Sequence, residues 1–577
     1  MAAKRWIVRE TDQEQAAALA RSIGVSTAIA MLLIARGHTN ESSARKFLRP
    51  AHDQLHDPSL MLGMSVAVER ILRAIETNER ILVYGDYDVD GTTGTVVLLR
   101  ALKLLGAQTG YHIPHRFTEG YGLRRAALEQ ALADGYKLVI SVDCGIRAFE
   151  PLEWARDKGL DVIVTDHHLP DETVGVPPAL CVLNPNQRDC AYPDKNLAGV
   201  GVAFKLAHAL LRMRGREHLI GGFLKMVAIG TVADVAQLTG ENRAIVALGL
   251  ADLPQATNPG LRALLNVAGC GDGRGLSATD LGFRLGPRIN AAGRMDAARA
   301  IVELFETTDT GEAQKLAEAL DAHNRERQSA QREIVKLAFD EWETSAGAGD
   351  ATPSHVAVIA GDNWHRGVIG IAASKISERL HRPCIVISLD SGLGHGSARS
   401  IEAYHLLSGL DACADLFEKY GGHSHAAGLT IKRENVVALR ERLNQHAAAS
   451  LSDEDLQPLL RIDAELEPKF LTLKLTEELR QLEPFGVGNP RPVFMTRGLQ
   501  LIGEPRVMKE KHLKLRVASD GGRAFEVVWW NGVEDEFGQT LRPNARIELA
   551  YTVEANTWRG ETRLQLIAQD AKADAGC

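Results

Sequence analysis

The stretch "YGDYDVDGTTG", residues 84–94, decides how the rest of the chain is read. It follows the apolar run "ILV" and precedes the helix-like "TVVLLRALKLLG", and it sets Asp86, Asp88 and Asp90 at alternate positions. Like charges this close repel, and a carboxylate without a partner is costly where water is scarce. The arrangement therefore requires a cation, a hydrogen-bond net or full solvation.

The strand-turn-helix pattern continues outward. Between residues 65 and 250 the short apolar segments "RILVYGD", "QTGYHIPH", "KLVISVDCG" and "DVIVTDHH" alternate with "TVVLLRALKLLG", "RAALEQALADG" and "FEPLEWARDKG". That alternation predicts an α/β domain with a mostly parallel sheet. Residues 1–64 read as a helical N-terminal segment and 251–345 as a helical connector ending in a long, charged, solvated helix. After the small and polar "SAGAGDATPS", a second α/β unit occupies 346–455, carrying "HVAVIAG", "RPCIVISLD" and "GLGHGSARS". The remainder, 456–577, reads as a linker followed by short strands, and predicts an OB-type β-barrel over 491–570.

A chain of 577 residues exceeds one ordinary core, so several domains are expected. Apolar residues at 45% and charged residues at 24% are globular values, and no apolar run approaches the roughly 20 residues of a membrane helix. The N-terminal segment lacks the apolar core of a signal peptide. Seven scattered cysteines form no CxxC pair, which excludes a cysteine zinc site and favours a reducing cytoplasm, with no membrane association. A net charge of −8 does not advertise nucleic-acid binding, and leaves any basic groove to be found locally.

In an open parallel sheet, functional groups collect beyond the carboxyl ends of the strands. There the sequence delivers Asp86, Asp88 and Asp90, then Asp143 in "SVDCG", then Asp166, His167 and His168 in "TDHH", with Asp234 in "GTVADVA", after another apolar stretch, as a further candidate. Singly, each aspartate could be a turn former or helix cap and each histidine a hydrogen-bonded crevice residue. Together, hard carboxylate oxygens and imidazole at separate strand ends suit Mn²⁺ or Mg²⁺, and a shared carboxylate could bridge two ions.

In this order, "GDYDVDG", "SVDCG", "TDHH" and "GTVADV" resemble the four motifs of the DHH phosphoesterases. The later "GPRINAAGRM" and "GGHSHAAG" resemble the RecJ branch of that family and its second, DHHA1-type lobe. The resemblance implies metal ligands at Asp88, Asp90, Asp143, His167 and Asp234, with Asp143 bridging, and His168 beside the scissile phosphate. Asp86 belongs to the motif as a further catalytic candidate. Where family phosphatases often carry a histidine this chain has Tyr84, a poorer ligand, so a water is expected to complete one metal's shell.

A second anion site is read in "GHGSARS", with Ser397 and Arg399, and in "GPRINAAGR", with Arg288 and Arg294: glycine-rich turns, a hydroxyl and guanidinium groups form a phosphate cradle. Simple turn chemistry explains such segments equally well. The resemblance makes these the residues that grip a terminal 5′-phosphate, with His423 and His425 in the cleft wall and Arg116 facing the incoming strand. In the barrel, Arg506, Lys509, Lys511, Lys514 and Arg516 surround one turn ahead of Trp529 and Trp530. Cations alternating with aromatics suit a single strand, although strand alternation would also bury one tryptophan.

The resulting expectation is a metal-dependent exonuclease using two Mn²⁺ or Mg²⁺ ions to degrade single-stranded DNA from its 5′ end to mononucleotides, in DNA repair and recombination. A monomer is expected, with a single-strand-binding protein and a helicase as candidate partners. The alternatives are a phosphodiesterase for short oligonucleotides or cyclic dinucleotides, which the barrel disfavours, and a catalytically inactive Cdc45-like scaffold, which the intact acid and histidine set disfavours.

Overall fold

The computed structural model describes residues 4–116, 118–294, 298–347, 354–519 and 522–574. The chain forms two compact units, one of residues 46–325 with 482–490, the other of residues 1–45, 326–481 and 491–577. It opens on a short strand, β1 (Arg5–Val8), before the expected helices, α1 (Gln13–Ile23), α2 (Thr27–Ala35) and α3 (Glu41–Leu48). The strand pairs in parallel with Leu459–Ile462, and the Trp6 indole donates to Asp570 at 2.7 Å. Among the described residues no single helix is long and apolar enough to cross a membrane.

In the first unit, helix α4 (Met64–Glu76) precedes β2 (Arg80–Gly85), α5 (Val89–Leu104), β3 (Gln108–His112), α6 (Arg125–Ala133), β4 (Tyr136–Val142), α7 (Phe149–Asp157), β5 (Asp161–Thr165) and β6 (Cys181–Leu183). The five strands are all parallel in the order β3-β2-β4-β5-β6. Both faces are covered, which is why the central strands read as continuous apolar runs. Ile81, Val83, Ile140 and Ile163 point into one core, while Leu82, Tyr84, Val139 and Val162 point into the other. The connection reverses between β2 and β4, the crevice where such sheets place their sites.

Helix α5 lies buried under the first core despite its polar sequence. The hydroxyls of Thr93 and Thr95 donate to the carbonyls of Val89 and Gly91 at 2.7 and 2.8 Å, so no buried donor is left over. Gly94 permits close approach, since a Cβ there would stand 2.6 Å from Val142 Cγ1. Beyond the sheet, α8 (Gly199–Met213) and α9 (Leu224–Ala233) pack against α5.

Lys205 in α8 is fully buried and its ammonium lies 2.6 Å from Glu241 and 2.6 Å from the His56 carbonyl. Removing one partner of a buried pair strands the other charge, so Lys205→Met is expected to destabilise this unit by about 3 to 5 kcal/mol, measured as a shift in its urea midpoint. Replacing Lys205 and Glu241 together by apolar residues should recover much of the loss.

A 38-residue helix, Thr310–Gly347, belongs to the first unit up to residue 325, and its later turns contribute to the core of the second unit beside the mixed sheet. That sheet comprises β7 (Ala357–Asp362), β8 (Cys384–Asp390), β9 (Leu393–Arg399), β10 (Phe417–Gly422) and β11 (Ala426–Lys432), in the order β10-β11-β9-β8-β7. Helix Arg366–Leu380 lies against β8 and β9. The third sheet is the barrel: β12 (Leu459–Ile462) leads in beside β1, and β13 (Ala464–Glu465), β14 (Phe494–Leu501), β15 (Arg506–Met508), β16 (His512–Ala518), β17 (Ala524–Trp529), β18 (Arg546–Trp558) and β19 (Glu561–Ala573) run in the order β13-β14-β18-β19-β17-β16-β15. Pairing of Gln500 and Leu501 in β14 (Phe494–Leu501) with Ala518 and Val517 in β16 (His512–Ala518) closes it.

Candidate active site

Three aspartates each stand one residue past the end of a parallel strand, and each backbone amide continues the ladder. Asp86 donates to the Val142 carbonyl at 3.2 Å, Asp143 to Thr165 at 2.9 Å and Asp166 to Leu183 at 3.1 Å. Their side chains are thereby fixed at one edge of the sheet. Asp88 caps α5, accepting from the Gly91 amide at 2.9 Å. Gly91 is required by that turn, because a Cβ there would lie 2.6 Å from the Asp86 nitrogen. Asp90 caps a different helix, α8, accepting from the Gly199 and Val200 amides at 2.6 and 2.7 Å.

The histidines close the constellation. His167 Nε2 lies 3.2 Å from Asp143 Oδ1 and 3.8 Å from Asp90 Oδ2, while its Nδ1 stands 4.0 Å from Asp234 Oδ2. His168 Nδ1 lies 2.7 Å from Asp166 Oδ1. One carboxylate sits on unusual backbone and another directly precedes such a position: Asp143 has φ of 61°, and Val235, directly after Asp234, has φ of 64°. A β-branched residue rarely adopts that region, and such conformations cost of order 1–3 kcal/mol each, retained where a site demands them.

The protonation pattern answers why the acids crowd. Burial, then the neighbouring Asp88, pushes Asp86 up to about 8 and Asp90 up to about 7. Burial, then Asp90, raises Asp143 well above the carboxylate range and Asp234 to about 9. Burial lowers His167 to about 4, leaving the neutral imidazole a metal requires. Burial would raise Asp166, but hydrogen bonds from His168 and from the Ile146 and His168 amides outweigh it and hold the group low. His168 is raised because Asp166 outweighs its desolvation.

The donor set fits hard divalent ions. Asp86 Oδ1, Asp143 Oδ1 and His167 Nε2 are buried without a hydrogen-bond partner, which a protein normally avoids. Three overlapping groups lie close enough to share an ion: Asp90, His167 and Asp234; Asp86, Asp88 and Asp143; and Asp143, His167 and His168. Asp143 belongs to two of the three groups.

Tyr84 stands outside this set. Its side chain is buried in the opposite core, stacks on His112 and donates to the Gly122 carbonyl at 3.1 Å. Arg116 lies with its guanidinium 4.8 Å above the Tyr87 ring, close enough to favour the charged form of Asp86. Arg288 donates to Asp321 at 2.9 Å and to the Arg284 and Val267 carbonyls, so it braces its own unit instead of offering a free guanidinium to a phosphate. Arg294 closes helix Gly286–Arg294, and its side chain lies outside the described structure.

In the second unit Ser397 and Arg399 share one face of β9, 3.3 Å apart. Helix Arg366–Leu380 passes over them at Gly370, where a Cβ would stand 3.0 Å from Ser397 Oγ. His423 and His425 are exposed at the β10–β11 turn, and the His425 carbonyl accepts from the Ser400 amide at 3.0 Å, at the same end of the sheet as Arg399. In the barrel Lys511 is exposed and Lys514 pairs with Glu526 at 3.1 Å. Trp529, expected to face a strand, is only 3% exposed and packs inside the barrel; Trp530, 55% exposed with its ring against His512, is the available platform. Trp529 is the last residue of β17, paired with Ala568 of β19, whereas Trp530 lies in the turn just beyond the strand.

Some neighbours of the site carry no motif. The Tyr121 hydroxyl donates to the Asp143 carbonyl at 3.3 Å and stands 3.3 Å from His168 Nδ1. Gly199 faces Asp143 so closely that a Cβ would lie 2.7 Å from its Oδ1. Asn184 and Asn186 reach the histidine backbone. The "LNPN" segment following β6 was the available signal for those two, since it too begins at a strand end.

Family models match in three places: the DHH family N-terminal domain at residues 80–231, the DHHA1 domain at 353–449 and the RecJ OB domain at 462–570. The single-stranded-DNA-specific exonuclease RecJ of Bacillus subtilis is 37% identical over 570 residues, covering 98% of this chain and 70% of that protein. The crystal structure of Thermus thermophilus RecJ in complex with Mn²⁺ superposes with a TM-score of 0.83 at 31% identity, covering 98% of this chain and 79% of that one. The same protein in complex with Mg²⁺ gives 0.78 at 29% identity, covering 99% and 79%.

Proposed function

The chain belongs to the RecJ family of single-stranded-DNA-specific exonucleases, and we propose that it hydrolyses single-stranded DNA from the 5′ end with two divalent cations, Mn²⁺ or Mg²⁺. The observation that carries this reading is the buried cluster whose Asp86 Oδ1, Asp143 Oδ1 and His167 Nε2 have no hydrogen-bond partner. Asp90, His167 and Asp234 would hold one ion and Asp86 and Asp88 the other, with Asp143 between them. Bound cations supply a lower pKa for water and neutralise charge developing on the phosphoryl oxygens.

The chain's own groups do the positioning. Asp166 fixes the His168 ring through Nδ1, leaving Nε2 for a phosphate oxygen, and the raised pKa favours the charged ring that would donate to it. Asp90 is aimed by the α8 amides, and the helix N-terminus also favours its negative charge. Breaking the bond from phosphorus to the 3′ oxygen would release a nucleoside 5′-monophosphate and leave a new 5′-phosphate on the shortened strand. Each product end would then be the next substrate.

End recognition is assigned to Ser397 and Arg399. Burial disfavours the charged form of Arg399, so an incoming dianion would relieve a group otherwise poorly compensated. Arg399→Ala is expected to slow cleavage of 5′-phosphorylated strands about 10- to 100-fold, more than of 5′-hydroxyl strands, with lysine restoring part of the loss because charge without the planar fork is a weaker grip. Equal slowing of both ends, measured as initial rates, would remove Arg399 from end recognition.

The barrel is assigned to the trailing strand. Trp530→Ala should weaken binding of long single strands by about 1 to 3 kcal/mol, one stacked base, without altering thermal stability. Trp529→Ala should instead destabilise the barrel by about 3 to 5 kcal/mol, as expected for a buried aromatic. A single-strand-binding protein and a helicase remain proposed partners, on the ground that the substrate class is one such proteins generate or cover.

A further inference from the structure

We infer that Asn184 and Asn186 form a clamp that aims the two active-site histidines separately, Asn186 serving the metal-holding His167 and Asn184 serving the substrate-facing His168. Neither histidine lies within a strand: the chain leaves β5 at Thr165, so the carbonyls of His167 and His168 have no ladder to join. The two asparagines replace it. Asn186 Nδ2 donates to the His167 carbonyl at 2.8 Å, and Asn184 Nδ2 donates to the His168 carbonyl at 2.8 Å. Asn184 is fully buried, and its own Oδ1 accepts the Asn186 amide at 2.7 Å, which locks the pair as one turn.

The turn is itself held. Gln187 donates to the Val182 and Asn184 carbonyls at 2.8 and 3.2 Å, and the Lys195 ammonium donates to the carbonyls of Pro185 and Cys190 at 2.7 Å each. A rigid base of this kind is unneeded for a surface loop. Fixing each peptide plane fixes the direction of the adjoining Cα–Cβ bond, and through it where each ring lies. The His167 ring must meet acids from α5, β4 and α9, and the His168 ring must meet Asp166. Asn184 and Asn186 are positioning residues, because they act through the histidines.

The inference rests on the two-cation reading, and one experiment separates the two. Mn²⁺ binding to the full chain is titrated by calorimetry for wild type, Asn186→Ala and Asn184→Ser, beside thermal melts in EDTA and turnover at saturating Mn²⁺. Asn186→Ala should lower Mn²⁺ affinity about 10- to 100-fold, the usual loss for an outer-shell partner. Asn184→Ser should lower turnover about tenfold while weakening Mn²⁺ binding less than Asn186→Ala does, since the residue it aims, His168, is assigned to the phosphate. If wild type itself bound no Mn²⁺, the cation reading would fall. Wild-type binding matched by Asn186→Ala, or equal losses of melting temperature, affinity and turnover in both variants, would overturn the clamp. Should Asn184→Ser fail to fold, Asn186→Ala with an unchanged melt still decides the matter.

Discussion

Asp143→Asn should lower hydrolysis of single-stranded DNA by at least about 10³-fold, the upper range for deleting a single charge-stabilising group, because this carboxylate belongs to two of the three ion-sized groups. Asparagine keeps the shape and tolerates the φ of 61° that Asp143 adopts. The metal-free fold should not suffer. An acid whose native pKa is raised above its unfolded value binds protons more tightly in the native state, so its ionisation costs stability progressively as pH rises from the ordinary carboxylate range through the raised value. At pH 8 in EDTA the variant should therefore melt at or above the wild-type temperature, whereas at pH 4 the two should converge. Loss of activity together with a lower melt in EDTA would mean that Asp143 supports the fold.

Gly199→Ala should strike the metal-holding acids directly. The added carbon would stand 2.7 Å from both Cβ and Oδ1 of Asp143, and the same residue's amide holds Asp90 at 2.6 Å. Either Asp143 turns away or the start of α8 recedes and releases Asp90. A displacement near 1 Å costs on the order of 10²-fold in rate, and overpacking of this kind costs roughly 1 to 3 kcal/mol in stability. Gly201→Ala is the control: its nearest neighbour is the side chain of Leu197 at 3.3 Å, so turnover should stay near wild type. Steady-state turnover and Mn²⁺ affinity of both variants measure the difference.

These residues also mark where the sequence stops being informative. The parallel sheet was legible because strands covered on both faces are written as apolar runs, and Asp86, Asp143 and Asp166 were legible because each follows such a run by one residue, whereas Asp234 follows a helix, α9. "GVGVAF", residues 199–204, had no such signal: its first glycine opens α8 and is explained only by Asp143, which packs against it from the end of β4. Tyr121, Asn184 and Asn186 act through hydrogen bonds to backbone carbonyls, and a carbonyl carries no sequence identity. β1 escaped notice because four residues show no periodicity and their partner strand lies at the other end of the chain. Arg288 looked like a phosphate ligand because guanidinium groups look alike until their partners are known, and here Asp321 is one of them. For the tryptophan pair, the sequence did not state where the strand ends, and that end, at Trp529, separates the buried ring from the exposed one.

The most direct test of the account is product analysis on one single strand labelled at its 5′ end and, separately, at its 3′ end, with Mn²⁺ present, for wild type and Asp143→Asn. The account predicts that wild type converts the 5′ label at once to a mononucleotide while the 3′-labelled strand shortens progressively, that duplex of the same sequence resists, and that EDTA or Asp143→Asn abolishes both signals. Internal fragments from the outset, release of the 3′ label first, or undiminished cleavage by Asp143→Asn would contradict it.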